Sequence, residues 1–346
     1  MCTVAAYIGN EQAAPILLRM IGNEEGFAGG HYTGIATIHE GRLHYAKVCG
    51  DLAELLKRTN AASLPGTIGI AHSRTPGIAS DEWAHPFIST DESVAYIANG
   101  AAGMFAGTCD FTAIYNRLTA LGDHFHTVTD DPNVIKAYPH LPDGRALHTS
   151  DLLCGMIADN HLRHKMDLAS AMCAAYQEAP SQVVGLSISV KEPDSIAACR
   201  ISMPLMWGRK GNACYLATIA QAMNDEDVDN VSAVPSVSTV SMRRGEITYK
   251  PIGGKLARMC VPMPWAAAVR ILDEMMSDGK EYHLKDMIDA VKPLWAEGTI
   301  SEADMLCFQY VDEGVRAGRF KVVKRTIKAS LPGALAPRWY LTTGGL

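Results

Sequence analysis

Several features are missing from this chain, and each omission excludes a class of protein. No apolar run approaches the ~20 residues that span a bilayer, so no transmembrane helix is expected. The stretch Met1–Pro15 carries neither a basic n-region nor an A-x-A site, so no secretory signal is expected either. There is no C-x-x-C pair. Cysteines stand at positions 2, 49, 109, 154, 173, 199, 214, 260 and 307, an odd and widely spaced set that argues against a disulfide framework and a zinc cluster. Free, mostly buried thiols in a cytoplasmic protein are the expectation. Basic charge is not in excess: 31 Lys and Arg face 37 Asp and Glu, a net charge of −6. Neither nucleic acid nor an anionic membrane is therefore the expected partner. No G-x-x-x-x-G-K-[ST] occurs, and Gly29-Gly30 is not followed by the Lys and Ser/Thr of a phosphate loop. No cofactor and no metal are expected. Repeats and low-complexity segments are also absent.

What remains is a 346-residue globular composition, 48% hydrophobic and 20% charged, enough for two domains. Residues 2–250 mix short β-prone runs with helical spacings. Thr3–Ile8, Thr67–Ser73, Ser93–Ala98 and Gln182–Val190 read as buried strands. Gly34–His39 and Leu43–Val48 flank a Glu40-Gly41-Arg42 turn. Asp51, Asp110 and Ser150 read as helix N-caps. Strand-rich blocks around a helix-rich middle imply an α+β fold of sheet and helix layers, not a doubly wound parallel sheet. Residues 255–346 change character, with helices over Ala266–Met276 and Leu284–Ala296, a third from about Ser301, and two short strands. The ribbon holds Arg316, Arg319, Lys321, Lys324, Arg325 and Lys328. A winged-helix-like module fits this order, as does a docking or dimerisation element with a solvated basic face; a homo-oligomer is compatible with the second.

Five features carry chemistry. A cysteine exposed by removal of Met1 would unite a strong nucleophile with an α-amine of pKa near ~8 in one residue. Arg74, at a strand end before Thr75-Pro76-Gly77, can clamp a carboxylate. His85 sits in Ala84-His85-Pro86-Phe87. Asn99-Gly100 can supply a side-chain amide and a backbone N–H to an oxyanion. Asp151, after Thr149-Ser150, can meet an ammonium group. Singly, each has a structural reading: an incidental second residue, a surface arginine, a packed loop histidine, an Asn-Gly turn, a helix N-terminus.

In this order they resemble the class II glutamine amidotransferase domain, the N-terminal-nucleophile (Ntn) module of glucosamine-6-phosphate synthase and amidophosphoribosyltransferase. Met1-Cys2-Thr3-Val4-Ala5-Ala6-Tyr7-Ile8-Gly9 looks like the family opening MCGIVGYIG. Thr33-Gly34-Ile35-Ala36, and Pro204-Leu205-Met206-Trp207-Gly208 with Tyr215-Leu216-Ala217-Thr218, look like later family segments. The resemblance implies a four-layer αββα sandwich over 2–250. It further implies Cys2 as nucleophile, Asn99 and Gly100 as oxyanion hole, Arg74 on the glutamine α-carboxylate and Asp151 on its α-ammonium, with His85 supporting. The implied product is ammonia, handed to a separate synthase subunit. An Ntn amidase on another small amide, and a glutamine-sensing protein, are the alternatives. The chain departs from the family in several places. Thr3 replaces the usual Gly. The family's Thr and His of R-W-A-T-H-G fall on Gly77 and Ile78, and about 25 additional residues, roughly 124–148, precede Asp151.

Overall fold

A computed structural model describes residues 1–105, 107–131 and 138–343. Part of the 124–148 insertion, and the last three residues of the C-terminal segment, lie outside the described residues. The first 251 residues form β1 (Thr3–Ile8), α1 (Ala13–Glu24), β2 (Tyr32–His39), β3 (Arg42–Cys49), α2 (Leu52–Arg58), β4 (Ile68–Arg74), β5 (Phe87–Ile88), β6 (Val94–Ala101), α3 (Phe111–Ala120), α4 (Thr149–Ala158), α5 (Leu168–Glu178), β7 (Gln182–Ser189), β8 (Ile196–Arg200), β9 (Met206–Lys210), β10 (Ala213–Ala217), β11 (Asn230–Ala233), β12 (Ser238–Arg243) and β13 (Glu246–Pro251). The remainder adds α6 (Lys255–Arg258), α7 (Trp265–Met276), β14 (Tyr282–His283), α8 (Leu284–Val291), α9 (Ala303–Arg316), β15 (Lys321–Lys328) and β16 (Leu335–Thr342).

The fold is mixed α and β with antiparallel sheets. A seven-stranded sheet has the order β11-β9-β10-β1-β4-β2-β3, and a six-stranded sheet the order β13-β12-β8-β7-β6-β5. Strand alternation sends successive side chains to opposite faces. Val4, Ala6 and Ile8 of β1 therefore meet Ala95 and Ile97 of β6 and Leu186 of β7 in one apolar cluster between the sheets. Ala5 and Tyr7 point the other way, onto Ile16, Leu17 and Met20 of α1. Tyr96 and Ala98 likewise pack outward on Leu152 and Leu153 of α4 and Met172 of α5. Asp51 and Asp110 cap α2 and α3 as their positions imply, accepting from the Glu54 and Ala113 N–H groups.

Residues 255–343 share a core with the preceding residues. A third sheet, β14-β16-β15, and helices α7–α9 enclose a core that includes Phe27 and Ile219 from the first 250 residues. Trp339 crosses Phe27 edge-on at 4.8 Å and donates its backbone N–H to the Gly26 carbonyl at 2.7 Å. Gly26 and Gly30 have positive φ, and a Cβ on either would collide with Trp339 or Pro337. The basic ribbon is largely engaged within the module: Arg325 pairs with Glu281, Arg319 stacks on Phe320 and Lys324 lies over Trp339.

Glu25 holds the turn after α1 against the sheet behind Arg74. Its carboxylate accepts from the Ser73 and Thr33 hydroxyls at 2.7 and 3.1 Å and from the Leu52 N–H at 3.1 Å. Burial drives its pKa from 4.5 up to about 7, against the hydrogen bonds that oppose the rise. The folded state thus keeps a proton that the unfolded chain has lost, so stability falls as pH rises through this window. The expected loss is on the order of 3 kcal/mol, and Glu25→Gln should flatten it. Thermal melts of both proteins between pH 4.5 and 8 check this; equal slopes would refute it.

Candidate active site

Cys2 stands one residue before β1, on the edge of the space between the two sheets. Its backbone N–H donates to the Asn99 Oδ1 at 3.1 Å, and its Sγ lies 3.6 Å from the Thr75 hydroxyl. β6 delivers Asn99 from the opposite sheet. With its Oδ1 engaged by Cys2, the buried Asn99 Nδ2 is left without a hydrogen-bond partner. A buried, unsatisfied donor is costly, and a ligand oxygen would satisfy it. Gly100 follows with φ +125°, and a Cβ there would come within 2.2 Å of the Gln182 carbonyl, so only glycine fits. Burial would raise the Cys2 thiol pKa. The hydrogen bond and charge of His72, the nearby N-terminal ammonium and a Thr75 backbone hydrogen bond outweigh burial and bring the pKa down to about 6.

Two cavities meet at Cys2. One, of about 390 Å³, is lined by Cys2, Arg74, His85, Tyr138, His148 and Ser150. Arg74, at the end of β4, is 4% exposed and stacks on Tyr32 at 4.8 Å. It donates to the Trp83 carbonyl at 2.9 Å and to the Tyr138 hydroxyl at 2.5 Å. His85 is buried with neither ring nitrogen partnered, its ring 4.0 Å from that of His72. Burial first, and then the positive charge of its neighbours, Arg74 and Lys47 among them, holds it well below the usual histidine range, so it is neutral at pH 7. The second cavity, of about 440 Å³, lies between Asn99 and Gly100 on one side and Lys285, Asp289, Lys292 and Asp304 on the other. Among the described residues no group of three or more His, Cys, Asp or Glu is arranged to hold a metal ion.

The structure thus brings Cys2, Arg74, His85, Asn99 and Gly100 together, and leaves Asp151 and Gly77 outside. Asp151 is 3% exposed, and its Oδ2 accepts from the Thr127 hydroxyl at 2.7 Å and from the backbone N–H groups of His126 and Thr127. It borders a different cavity, with Lys47 and His126. The reason is helical phase. The N-cap of α4 is His148, whose Nδ1 accepts from the Ser150 N–H at 3.0 Å, not Ser150 as the sequence suggests. Thr149 and Ser150 therefore face Cys2, and Asp151, about 100° further round, turns away. Gly77 does not line the Cys2 cavity; its N–H donates to the Ser330 hydroxyl at 3.2 Å, tying the loop after Arg74 to the C-terminal module. Sequence reasoning passed over His72, Thr75, Tyr138 and His148. Thr75 follows Arg74 directly and was legible as the neighbour of a strand end, whereas His72 is revealed by strand register alone. Tyr138 and His148 sit in the insertion, where no pattern pointed to them.

The chain is 25% identical over 274 residues to the glutamine–fructose-6-phosphate aminotransferase (isomerizing) of Bacteroides thetaiotaomicron, covering 71% of this chain and 40% of that one. It is 26% identical over 270 residues to the Clostridium tetani enzyme of the same name, covering 77% and 40%. Among solved structures, the glutamine phosphoribosylpyrophosphate amidotransferase of B. subtilis, complexed with ADP and GMP, superposes with a TM-score of 0.56. It is 15% identical, over 73% of this chain and 49% of that one. The chain is similar to glutamine-dependent amidotransferases over most of its own length. No protein-family profile matches it. It spans about 40% of the length of these curated relatives. No described helix is long and apolar enough to cross a membrane.

Proposed function

We propose that this chain hydrolyses the side-chain amide of glutamine with Cys2 as nucleophile, in a four-layer αββα Ntn core, and passes the ammonia to a synthase. One observation carries the reading: a thiol drawn down to about 6 lies beside the buried, unpartnered Asn99 amide, at the cavity that holds Arg74. Removal of Met1 frees the Cys2 α-amine. The thiolate attacks the amide carbon. The oxyanion accepts from Asn99 Nδ2 and the Gly100 N–H, the carbon–nitrogen bond breaks, and water hydrolyses the thioester to glutamate. Arg74 binds the α-carboxylate. The second cavity, open at Cys2 on the side of the C-terminal module, is the exit for ammonia. A cytoplasmic location suits this chemistry.

The position of Asp151 favours one variant of this reading. Its carboxylate is bound by Thr127 away from Cys2, so the α-ammonium would be met by the Thr149 and Ser150 hydroxyls. An amide that bears the carboxylate but no free ammonium would then turn over as well as glutamine. Assaying glutamine beside its N-acetyl derivative, with intact mass of the N-terminus, tests both points. Ammonia release from neither compound by protein lacking Met1 would overturn the proposal.

Arg74→Ala is expected to raise KM about ten- to a hundredfold, the value of a charge-assisted contact of about 1.5–3 kcal/mol, with kcat changed far less. Steady-state kinetics decide it. A fall in kcat alone would assign Arg74 to shaping the loop through Trp83 and Tyr138 instead of binding substrate.

A further inference from the structure

The Cys2 thiol must lose its proton before it can attack, and the sheet places an acceptor beside it. In the β1–β4 ladder, Val4 is opposite His72. Cys2 precedes Val4 by two residues, so Cys2 and His72 project from the same face as diagonal cross-strand neighbours, close enough for long side chains to meet. The His72 Nε2 lies 2.9 Å from the Ala98 carbonyl oxygen. A carbonyl only accepts, so Nε2 carries the hydrogen and, in the neutral ring, Nδ1 is a bare lone pair. That Nδ1 is buried, with the Cys2 thiol as its hydrogen-bonding neighbour and no other partner. Around it stand the Cys2 thiol, the stacked ring of His85, and His148 beyond. His85 and His148 are both held neutral, chiefly by burial, so neither competes for the proton.

Building on the proposed amide hydrolysis, we infer that His72 Nδ1 takes the Cys2 thiol proton before substrate arrives, and that the Cys2 α-amine serves only the later transfers. The resting site is then a thiolate–imidazolium pair, with the Nε2 hydrogen held by Ala98. The thiolate forms the sulfur–carbon bond, and the amide π electrons move to the oxyanion. When the carbon–nitrogen bond breaks, the leaving nitrogen takes a proton from the α-ammonium and departs as ammonia. The neutral α-amine then removes a proton from water, whose oxygen attacks the thioester. The carbon–sulfur bond breaks, the thiolate returns to its place beside His72, and the product acid gives its proton to solvent. The depressed thiol pKa agrees with this division of labour.

The test separates the two proton carriers. A polypeptide tag fused ahead of Met1 removes any free α-amine from Cys2 without touching His72. Iodoacetamide alkylation of Cys2, followed by peptide mass spectrometry across pH 5–10, should keep a midpoint well below the ordinary thiol value in the tagged protein, while glutamine hydrolysis is lost. His72→Gln should raise that midpoint by about two to three pH units, toward the ordinary thiol value. A midpoint that is low only in the untagged protein would overturn the inference, making the α-amine the base. So would an unshifted His72→Gln. Should His72→Gln not fold, imidazole ¹⁵N spectra of the unsubstituted protein decide. A hydrogen on Nε2 and a ring that responds to Cys2 alkylation support the pairing, and a hydrogen on Nδ1 alone refutes it. Because alkylation needs no glutamine, failure here is distinct from failure of the proposed activity.

Discussion

Cys2→Ala is expected to abolish glutamine hydrolysis and all covalent labelling by a diazo-ketone analogue of glutamine. The other eight thiols give the reason for selectivity. Burial raises every one of them: Cys109 reaches about 11, Cys154 and Cys199 stand well above the ordinary thiol value, and Cys49, Cys173, Cys214, Cys260 and Cys307 are also raised. Only Cys2 is brought down, and it adjoins the unpaired buried Nδ2 of Asn99. Asn99→Ala provides the complementary result. It keeps the thiol but removes one oxyanion donor, which costs kcat about 10²–10³-fold. Tryptic mapping of the labelled protein and single-turnover kinetics of both variants check these outcomes. Labelling spread over several cysteines, or near-normal kcat in Asn99→Ala, would count against an organised oxyanion site.

The parts of the fold that sequence reveals are those where local chemistry and tertiary demand agree. Thr3–Ile8 and Gln182–Val190 read as buried strands because both faces of the sheet are covered, which leaves largely apolar runs. Asp51 and Asp110 announce helices because a side-chain acceptor before an apolar-periodic segment has few other uses. Asp151 failed for a geometric reason. A short polar run at a helix start marks the helix but not which of its residues face the cavity, and Asp151 is held by Thr127 beside a different one. His72 was hidden differently: a histidine in an apolar strand reads as filling, and only register shows that it shares a face with Cys2. The C-terminal segment was legible as helices and a ribbon, yet its seating was not. The residues that bind it, Gly26, Phe27 and Arg200, carry no local sign of a distant partner.

Deleting residues 255–346 is expected to leave the remainder unable to fold to a soluble state. Arg200 is 2% exposed, and its guanidinium donates to the Val234 and Met203 carbonyls and pairs with Glu302, a residue the deletion removes. Stripping one partner from a buried ion pair costs about 3–5 kcal/mol. Phe27, Ile219 and the turn at Gly26 would also lose the apolar cover that Trp339 and α9 provide. Against a typical domain stability of about 5–15 kcal/mol, these losses are large enough to decide folding. Glu302→Gln isolates the ionic part. It keeps the shape, should lower the melting temperature by several degrees, and should leave the thiol midpoint at Cys2 in place. The same seating gives the segment a functional position, because Lys285, Lys292 and Asp304 wall the cavity that opens at Asn99 and Gly100. A partner that fills or reshapes this wall would act on ammonia release without touching the Arg74 side. Expression of the truncation beside Glu302→Gln, with melting curves and light scattering, measures the outcome. A soluble, cooperatively melting truncation that still alkylates at Cys2 with a midpoint near 6 would show that the segment is dispensable to the core.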